Sequence, residues 1–220
     1  MVLCYHDIIK PCNYEDMKTI AMISQKGGSG KTTVAVHLAV CAELAGKRSA
    51  IIDLDPQASA IEWRSRRQAD TPEVIKAVPE QLADLLGQAR ANGADFTIID
   101  TAPHSDRAAT IAAGLADLVL IPCRPAAFDV AAIPTTLQIL KLAQAQARAA
   151  VLLNAVPPQG RTGEEAAEGL AAFARVVPIR LVHRAAYSHA VNDGRSVQEY
   201  EQHGKAAEEI SGLYSWIMES

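Results

Sequence analysis

The chain alternates short apolar runs with longer stretches in which apolar residues recur at helical spacing. The apolar runs lie at residues 19–24, 49–53, 96–100, 118–122 and 150–154, with a shorter one near 176–179. Helical spacing predicts helices at 32–46, 57–68 and 129–146, and near 184–192 and 205–218. Because apolar strands flanked by helices are typical of sheets buried on both faces, the pattern predicts a doubly wound α/β fold with a mainly parallel sheet.

A glycine-rich segment, KGGSGKTT at residues 26–33, joins the first predicted strand to the first predicted helix. Gly27, Gly28 and Gly30 permit backbone conformations that a side chain would block, so successive N–H groups, including that of Ser29, can point at phosphate oxygens. The order of strand, loop and helix predicts a P-loop, the phosphate-binding loop of nucleotide-binding proteins.

The last residues of this loop predict how it would hold a nucleotide. Lys31 is placed to reach the β- and γ-phosphates, and the hydroxyl of Thr32 is placed to enter the shell of a Mg²⁺ ion. Thr33 would support the first helical turn and completes the predicted nucleotide-binding set. The expected cofactors are therefore ATP and Mg²⁺.

The loop departs from the common pattern G-x-x-x-x-G-K-[ST], because Gln25 stands where the first glycine is expected and Lys26 adds a second lysine. This deviant Walker A form, KGGxGKT, resembles that of the ParA family of ATPases, in particular the small ParF-like plasmid partition type. The resemblance runs from Met17 nearly to Ser220. It implies that Lys26 crosses to a nucleotide held by a second subunit, in a homodimer that forms with ATP.

Three acidic residues end predicted strands, where ligands of parallel α/β folds bind. By the resemblance, Asp55 orients the attacking water, and Asp53 contributes either to the magnesium environment or to loop geometry. Asp100 ends the run IID at 98–100, a Walker B arrangement in which one acid holds a magnesium-bound water. His104, just beyond, is interpreted as an exposed loop residue.

Two further segments resemble the family pattern. Asn154 ends the strand at 150–154 and matches an adenine-contacting asparagine, although asparagine also simply ends strands. The segment PCRPAAFD at 122–129 has two readings. Either Arg124 and Asp129 bridge subunits, or a proline-shaped strand exit is followed by Asp129 capping the next helix.

Composition limits the other classes of function. With 220 residues, 49% of them apolar, one P-loop ATPase domain at 17–220 is expected, and residues 1–16 are interpreted as an N-terminal extension, either disordered or upstream readthrough. Four cysteines without CxxC spacing favour a reducing, cytoplasmic location. The apolar stripe of the last helix has glutamates on its polar side, which favours packing on the core over a membrane surface.

The net charge of −4 attracts no nucleic acid globally, so DNA contacts must come from a local cationic patch. The tail resembles the ParF-like C-terminal region and places Arg184, Arg195 and Lys205 in such a patch, unless these are ordinary solvated cations. The resemblance implies nonspecific DNA binding on the nucleoid, a ParB-like or centromere-binding partner, and plasmid or chromosome partition. A protein cargo and, less favoured, a dethiobiotin-synthetase-like enzyme are the alternatives.

Overall fold

The computed structural model describes residues 17–220, so the predicted extension at 1–16 lies outside the described part. The strands are β1 Lys18–Met22, β2 Ser49–Asp53, β3 Glu73–Lys76, β4 Phe96–Asp100, β5 Leu118–Cys123 and β6 Ala149–Leu153. The helices are α1 Lys31–Leu44, α2 Ser59–Arg66, α3 Leu82–Ala91, α4 Asp106–Leu115, α5 Ala127–Val130, α6 Ile133–Leu142, α7 Thr162–Ala171, α8 Ala185–Asn192, α9 Val197–Tyr200 and α10 Lys205–Glu219. Short 3₁₀ turns lie at Pro79–Gln81 and Gln146–Arg148.

All six strands pair in parallel, in the order β3-β2-β4-β1-β5-β6. This arrangement confirms the predicted doubly wound fold. The chain winds outward from β1 in both directions, and the register places Met22 and Asp53 on either side of Asp100. The carboxyl ends of the three central strands therefore meet at one edge, which is where such folds bind ligands.

The core consists of two apolar clusters, one on each face of the sheet. Strand residues alternate between them, as Ile98 and Ile99 show, because successive side chains of a strand point to opposite faces. Helix α10 buries Ala206, Ile210, Leu213 and other apolar residues against the first cluster, as the amphipathic pattern predicted. Across residues 17–220, no helix has the length and apolar character of a membrane span.

Several elements differ from the sequence-based expectations. The helix expected at 129–146 is two helices, because Pro134 near the start of α6 has no N–H for a continuous helix and would clash with the preceding turn. Residues 176–179 make only an isolated bridge from Val176 to Val151, since Pro178 cannot donate to a ladder. The edge strand β3 and the helices α3, α4, α7 and α9 were not predicted as separate elements.

A buried histidine joins the helix that follows the glycine loop to the C-terminal part of the chain. His37 of α1 is fully buried, and its Nδ1 accepts a hydrogen bond from the backbone N–H of Val197 at 3.2 Å. Its ring also lies 5.3 Å from the ring of Tyr187. Burial lowers the pKa of His37 to about 3, so the imidazole is neutral in the folded protein.

A second link joins α2 to α9. The Arg67 guanidinium, only 4% exposed, makes hydrogen bonds of 2.7 and 2.8 Å to the two carboxylate oxygens of Glu199. It also donates to the carbonyl of Gly194 at 3.1 Å. Burial raises the pKa of Glu199, but the hydrogen bonds from Arg67 and Ser196 outweigh it and hold that pKa below its usual value. The pair fixes the turn that carries Arg195.

The buried neutral histidine makes stability depend on pH. The unfolded chain takes up a proton near pH 6.5 and the folded chain only near pH 3, so the contribution of His37 to the free energy of unfolding should fall by up to about 1.4 kcal/mol per pH unit between these values. The raised pKa of Asp100 acts in the opposite direction over part of this range, so the contribution is measured as the difference between the wild type and His37→Asn in urea unfolding at pH 7 and pH 5. His37→Asn keeps an acceptor but does not titrate. Equal pH dependence in both proteins would contradict the assignment.

Candidate nucleotide site

The glycine loop lies between β1 and α1 at the carboxyl edge of the sheet. Gly28 and Gly30 have φ angles of +68° and +97°, a region that only glycine enters readily. Gly30 immediately precedes α1, and its carbonyl accepts the N–H of Val34 at 2.9 Å. A Cβ on Gly30 would collide with the side-chain amide of Asn154. The loop backbone is therefore in the conformation in which N–H groups at a helix start can surround an anion.

Lys31 and Thr32 project from the start of α1 toward the strand ends. Lys31 is 6% exposed, and its Nζ lies 3.4 Å from the carbonyl oxygen of Ser24. Burial lowers its pKa, while the nearby carboxylates of Asp100 and Asp55 act in the opposite direction. The Thr32 hydroxyl donates to Asp100 Oδ2 at 2.6 Å. The structure thus brings together the predicted phosphate-binding lysine, the predicted magnesium-side hydroxyl and the Walker B acid.

Asp100 fits the role of an acid beside a cation. It is fully buried, its Oδ1 has no hydrogen-bond partner within the described chain, and burial raises its pKa to about 7. A buried acid oxygen without a partner in the described chain, next to the Thr32 hydroxyl, suits Mg²⁺, because that ion keeps several waters and takes few protein ligands. Thr32 and Asp100 are the residues that would hold it.

The other two acids lie on the segment after β2. Asp53 is buried, and its two oxygens accept the backbone N–H groups of Asp55 at 2.9 Å and Ala60 at 3.1 Å. Of the two roles predicted for Asp53, these contacts support loop geometry, and a part in the magnesium environment stays a prediction. Asp55 is half-buried and accepts the N–H of Gln57 at 2.9 Å.

Two clefts border the loop, one on each side. A cleft of about 240 Å³ is lined by loop residues from Gly28 to Thr33 together with Asp55, Ser59 and Pro103. A second cleft of about 190 Å³ is lined by Gly28 and Gly30 with Arg124, Asn154, Arg184 and Tyr187. Asp55 thus borders the first cleft, and the side-chain amide of Asn154 borders the second.

The two residues that depart from the common loop pattern lie at its entrance. Gln25 donates from Nε2 to Asp106 Oδ1 at 3.0 Å, which ties the loop entrance to the first residue of α4. Lys26 is half-buried, and its ammonium makes no hydrogen bond or ion pair with any residue from 17 to 220. Sequence reasoning identified Lys26 but not the contact of Gln25, since nothing in the pattern relates positions 25 and 106.

Two side chains from neighbouring strand ends hold carbonyl oxygens of the loop. Asn154 Nδ2 donates to the Ser29 carbonyl at 2.7 Å, and Arg124 Nη2 donates to the Gly28 carbonyl. A contact of Asn154 with adenine stays a prediction, and Asn154 lines the second cleft. Asp129 lies inside α5 and does not cap the next helix, so that reading of the sequence is wrong. His104 is exposed with φ +55°.

The wall of the second cleft depends on a carboxylate of α10. Glu209 Oε1 accepts from the Arg184 guanidinium at 2.7 and 3.0 Å, and Glu209 Oε2 accepts from the Tyr187 hydroxyl at 2.9 Å and the Val182 N–H at 3.0 Å. Arg184 was predicted to contact DNA. Its charge is paired with Glu209, which accepts from Nε and Nη2 beside the nucleotide groove, so its contacts do not support that prediction.

The other two cations of the predicted patch are exposed. Arg195 lies in the turn between α8 and α9, its side chain contacts the Glu199 carbonyl, and its guanidinium lies 5.5 Å from the Tyr200 ring. Lys205 is the first residue of α10, and its ammonium has no partner among residues 17–220. Of the three cations predicted to bind DNA, Arg184 is thus paired with Glu209, whereas Arg195 and Lys205 are exposed to solvent.

Comparison with known proteins identifies the family of the chain. The family model described as "CobQ/CobB/MinD/ParA nucleotide binding domain" matches residues 20–197. The chain belongs to this family. The predicted resemblance to ParA is thereby confirmed, and the chain is a P-loop ATPase of the ParA/MinD type.

Individual relatives of this ParA/MinD-type chain have different biological roles. Maintenance of carboxysome distribution protein A of Gloeobacter kilaueensis is 32% identical over 213 residues, which are 92% of this chain and 93% of that protein. Protein ParA of Rhizobium radiobacter is 28% identical over 214 residues, covering 92% and 95%. The structure of MinD with Mg-ADP from Pyrococcus horikoshii aligns with a TM-score of 0.71 at 17% identity, covering 91% and 96%, and shows the shared fold.

The contact between Thr32 and Asp100 predicts a loss that depends on magnesium. Thr32→Ala removes a hydroxyl and leaves the loop backbone in place, so we expect the gain in nucleotide affinity that Mg²⁺ gives the wild type to shrink by about tenfold or more. Affinity without Mg²⁺ should change little. Titration of ADP with and without EDTA measures both, and Thr32→Ser, which keeps the hydroxyl, is the matched control. A uniform loss in both conditions would contradict the magnesium role.

Proposed function

We propose that the protein is a Mg-ATP-dependent dimerising switch in which Lys26 of each subunit contacts the nucleotide of its partner. One observation carries this proposal. Lys31 is buried against the loop, whereas the Lys26 ammonium, five residues earlier, has no partner among the described residues. A cation at a phosphate site is stabilised once it meets phosphate charge. A second subunit that brings its triphosphate to this loop entrance supplies that charge.

The residues that line the first cleft would divide the work of hydrolysis. The loop N–H groups and Lys31 bind and orient the phosphates, and Asp55 positions the attacking water in line with the terminal phosphorus. Mg²⁺, when bound, supplies charge neutralisation at the β- and γ-phosphate oxygens. Asp53 acts through Asp55, because its hydrogen bond to the Asp55 backbone fixes the segment on which that carboxylate stands.

An apolar side chain at the same edge supports a second subunit there. Phe128 on α5 follows the carboxyl end of β5, and 82% of it is exposed. Single exposed apolar residues are common on protein surfaces, but an aromatic side chain contributes strongly to an interface once a partner covers it. Phe128 therefore adds apolar area to an interface that charge alone would hold weakly in salt.

Removing the Lys26 ammonium tests the switch. Lys26→Ala should bind ATP and ADP within about threefold of wild type, because its own loop still has Lys31 and the backbone donors. The ATP-dependent rise in apparent mass should be lost, along with most ATP hydrolysis. Sedimentation or light scattering with ATP, ADP or no nucleotide measures the mass. Lys47→Ala, an exposed lysine at the opposite edge of the sheet, is the control. Normal dimerisation of Lys26→Ala would disprove the role in the partner site.

We further propose that the ATP-bound dimer binds DNA without sequence preference through Arg195 and Lys205, with release after hydrolysis stimulated by a ParB-like or centromere-binding protein. Both residues are exposed cations of the C-terminal region, and two copies in a dimer double their number. Such a cycle would move or hold plasmid or chromosome DNA on the nucleoid. The support is the exposure of these residues and the similarity to Protein ParA.

The DNA proposal predicts a change in salt dependence. Each phosphate contact contributes about −0.9 to the slope of log affinity against log salt, so Arg195→Ala with Lys205→Ala should make the slope of the dimer shallower by up to about 3.6. DNA retention with ATP and with ADP at several salt concentrations measures this slope. The matched control is Arg90→Ala with Lys47→Ala, two exposed cations at the far edge of the sheet. Equal slopes would place the DNA contacts elsewhere.

A protein cargo is the second candidate, and the 32% identity to the carboxysome distribution protein over 92% of the chain favours it. The same ATP switch would then position a protein assembly and leave plasmid DNA alone. Deleting the gene separates the two. Loss of a plasmid at cell division supports partition, and plasmid retention with a mislocalised protein assembly supports the second candidate.

A further inference from the structure

We propose that Arg124 is a nucleotide-positioning residue of its own subunit, which holds the Gly28 carbonyl outward and adds positive charge at the mouth of the second cleft. The inference rests on the proposed nucleotide binding and goes beyond it. The sequence pattern left Arg124 either as a bridge between subunits or as part of a strand exit, and neither reading relates it to its own loop.

Arg124 contacts the glycine loop of its own subunit directly. Arg124 follows the last residue of β5, and its guanidinium donates to the Gly28 carbonyl across the loop. A Cβ on Gly28 would lie 2.8 Å from Arg124 Nη2, so the guanidinium occupies the space that a side chain at residue 28 would need. Glycine at residue 28 therefore does two things: it permits the positive φ angle, and it leaves room for the Arg124 guanidinium.

The contact between Arg124 and Gly28 fixes one carbonyl of the phosphate loop. A loop that binds phosphate must direct its N–H groups inward, and its carbonyl oxygens must point elsewhere because they repel an anion. The carbonyls of Gly28 and Ser29 are consecutive, and Arg124 and Asn154 hold one each. Two neighbouring strands thus fix two successive peptide units before any ligand arrives, which lowers the cost of ordering the loop on binding.

Arg124 also carries a positive charge that the second cleft can reach. Arg124 is exposed and lines the cleft that Gly28, Gly30 and Asn154 also line. A guanidinium has five N–H donors, and the Gly28 carbonyl occupies one of the two on Nη2. In contrast to Arg184, which is paired with Glu209, Arg124 makes no ion pair within residues 17–220. Its charge is therefore available to a polyphosphate in the adjoining groove.

The test uses the full chain and compares Arg124→Ala with Arg124→Lys in two backgrounds, the wild type and Lys26→Ala. Binding of ADP and of a non-hydrolysable ATP analogue is measured by calorimetry with Mg²⁺. We expect Arg124→Ala to raise the Kd of both nucleotides about tenfold in both backgrounds, the low end for a hydrogen bond to a charged group. Arg124→Lys, which keeps the charge and one donor position, should recover part of this loss.

Two controls separate positioning from a structural role. Arg124 is exposed, so the thermal midpoint of the nucleotide-free protein should be unchanged in Arg124→Ala, and the KM for ATP should rise while kcat at saturating ATP stays the same. Arg90→Ala, an exposed arginine at the far edge of the sheet, should bind nucleotide like the wild type.

The outcomes distinguish this inference from the proposed function. If the wild type binds nucleotide and Arg124→Ala binds it equally well, the inference fails alone. If the loss appears only when Lys26 is present, Arg124 acts across the dimer and the inference is wrong. If the wild type binds no nucleotide, the proposed function fails and the inference fails with it.

Discussion

The site depends on one requirement, that a short stretch of backbone keep its amide hydrogens directed at one point in space. A loop of this type binds phosphate mainly through main-chain donors, and a flexible loop would lose part of that affinity in being ordered. The parallel sheet meets the requirement by ending β1, β4, β5 and β6 at the same edge. From there Asp100, Arg124 and Asn154 reach the loop or the helix after it.

Helix α1 carries this local order into the rest of the molecule. It begins at Lys31, beside the phosphate site, and His37 one and a half turns later is hydrogen-bonded to α9 and packed on Tyr187. Tyr187 in turn lines the second cleft, and the turn before α9 carries Arg195. The phosphate loop and the turn that carries Arg195 are therefore both attached to the first half of α1, a short physical route between the two surfaces.

The sequence was sufficient for the features that depend on local pattern. The apolar strands, the glycine loop, Lys31, Thr32 and Asp100 follow from local pattern, because parallel strands place their carboxyl ends together. The roles expected of Asp53 and Asp55 came from the resemblance to the ParA family. The edge strand β3 escaped prediction because its four residues are half-buried or exposed and alternate weakly. Arg184 was assigned to DNA because its sequence neighbours are basic, while its partner Glu209 lies 25 residues away. A contact between residues so far apart in the sequence leaves no signal in the local sequence pattern.

The dependence of the second cleft on Glu209 affects the order in which the two clefts can form during synthesis. The residues that line the first cleft lie between Gly28 and Pro103, whereas the wall around Val182, Arg184 and Tyr187 is held by the carboxylate of Glu209. Because synthesis runs from the N-terminus, that carboxylate leaves the ribosome after every residue that lines the first cleft. A nascent chain can therefore form the first cleft before the wall of the second cleft is held in place.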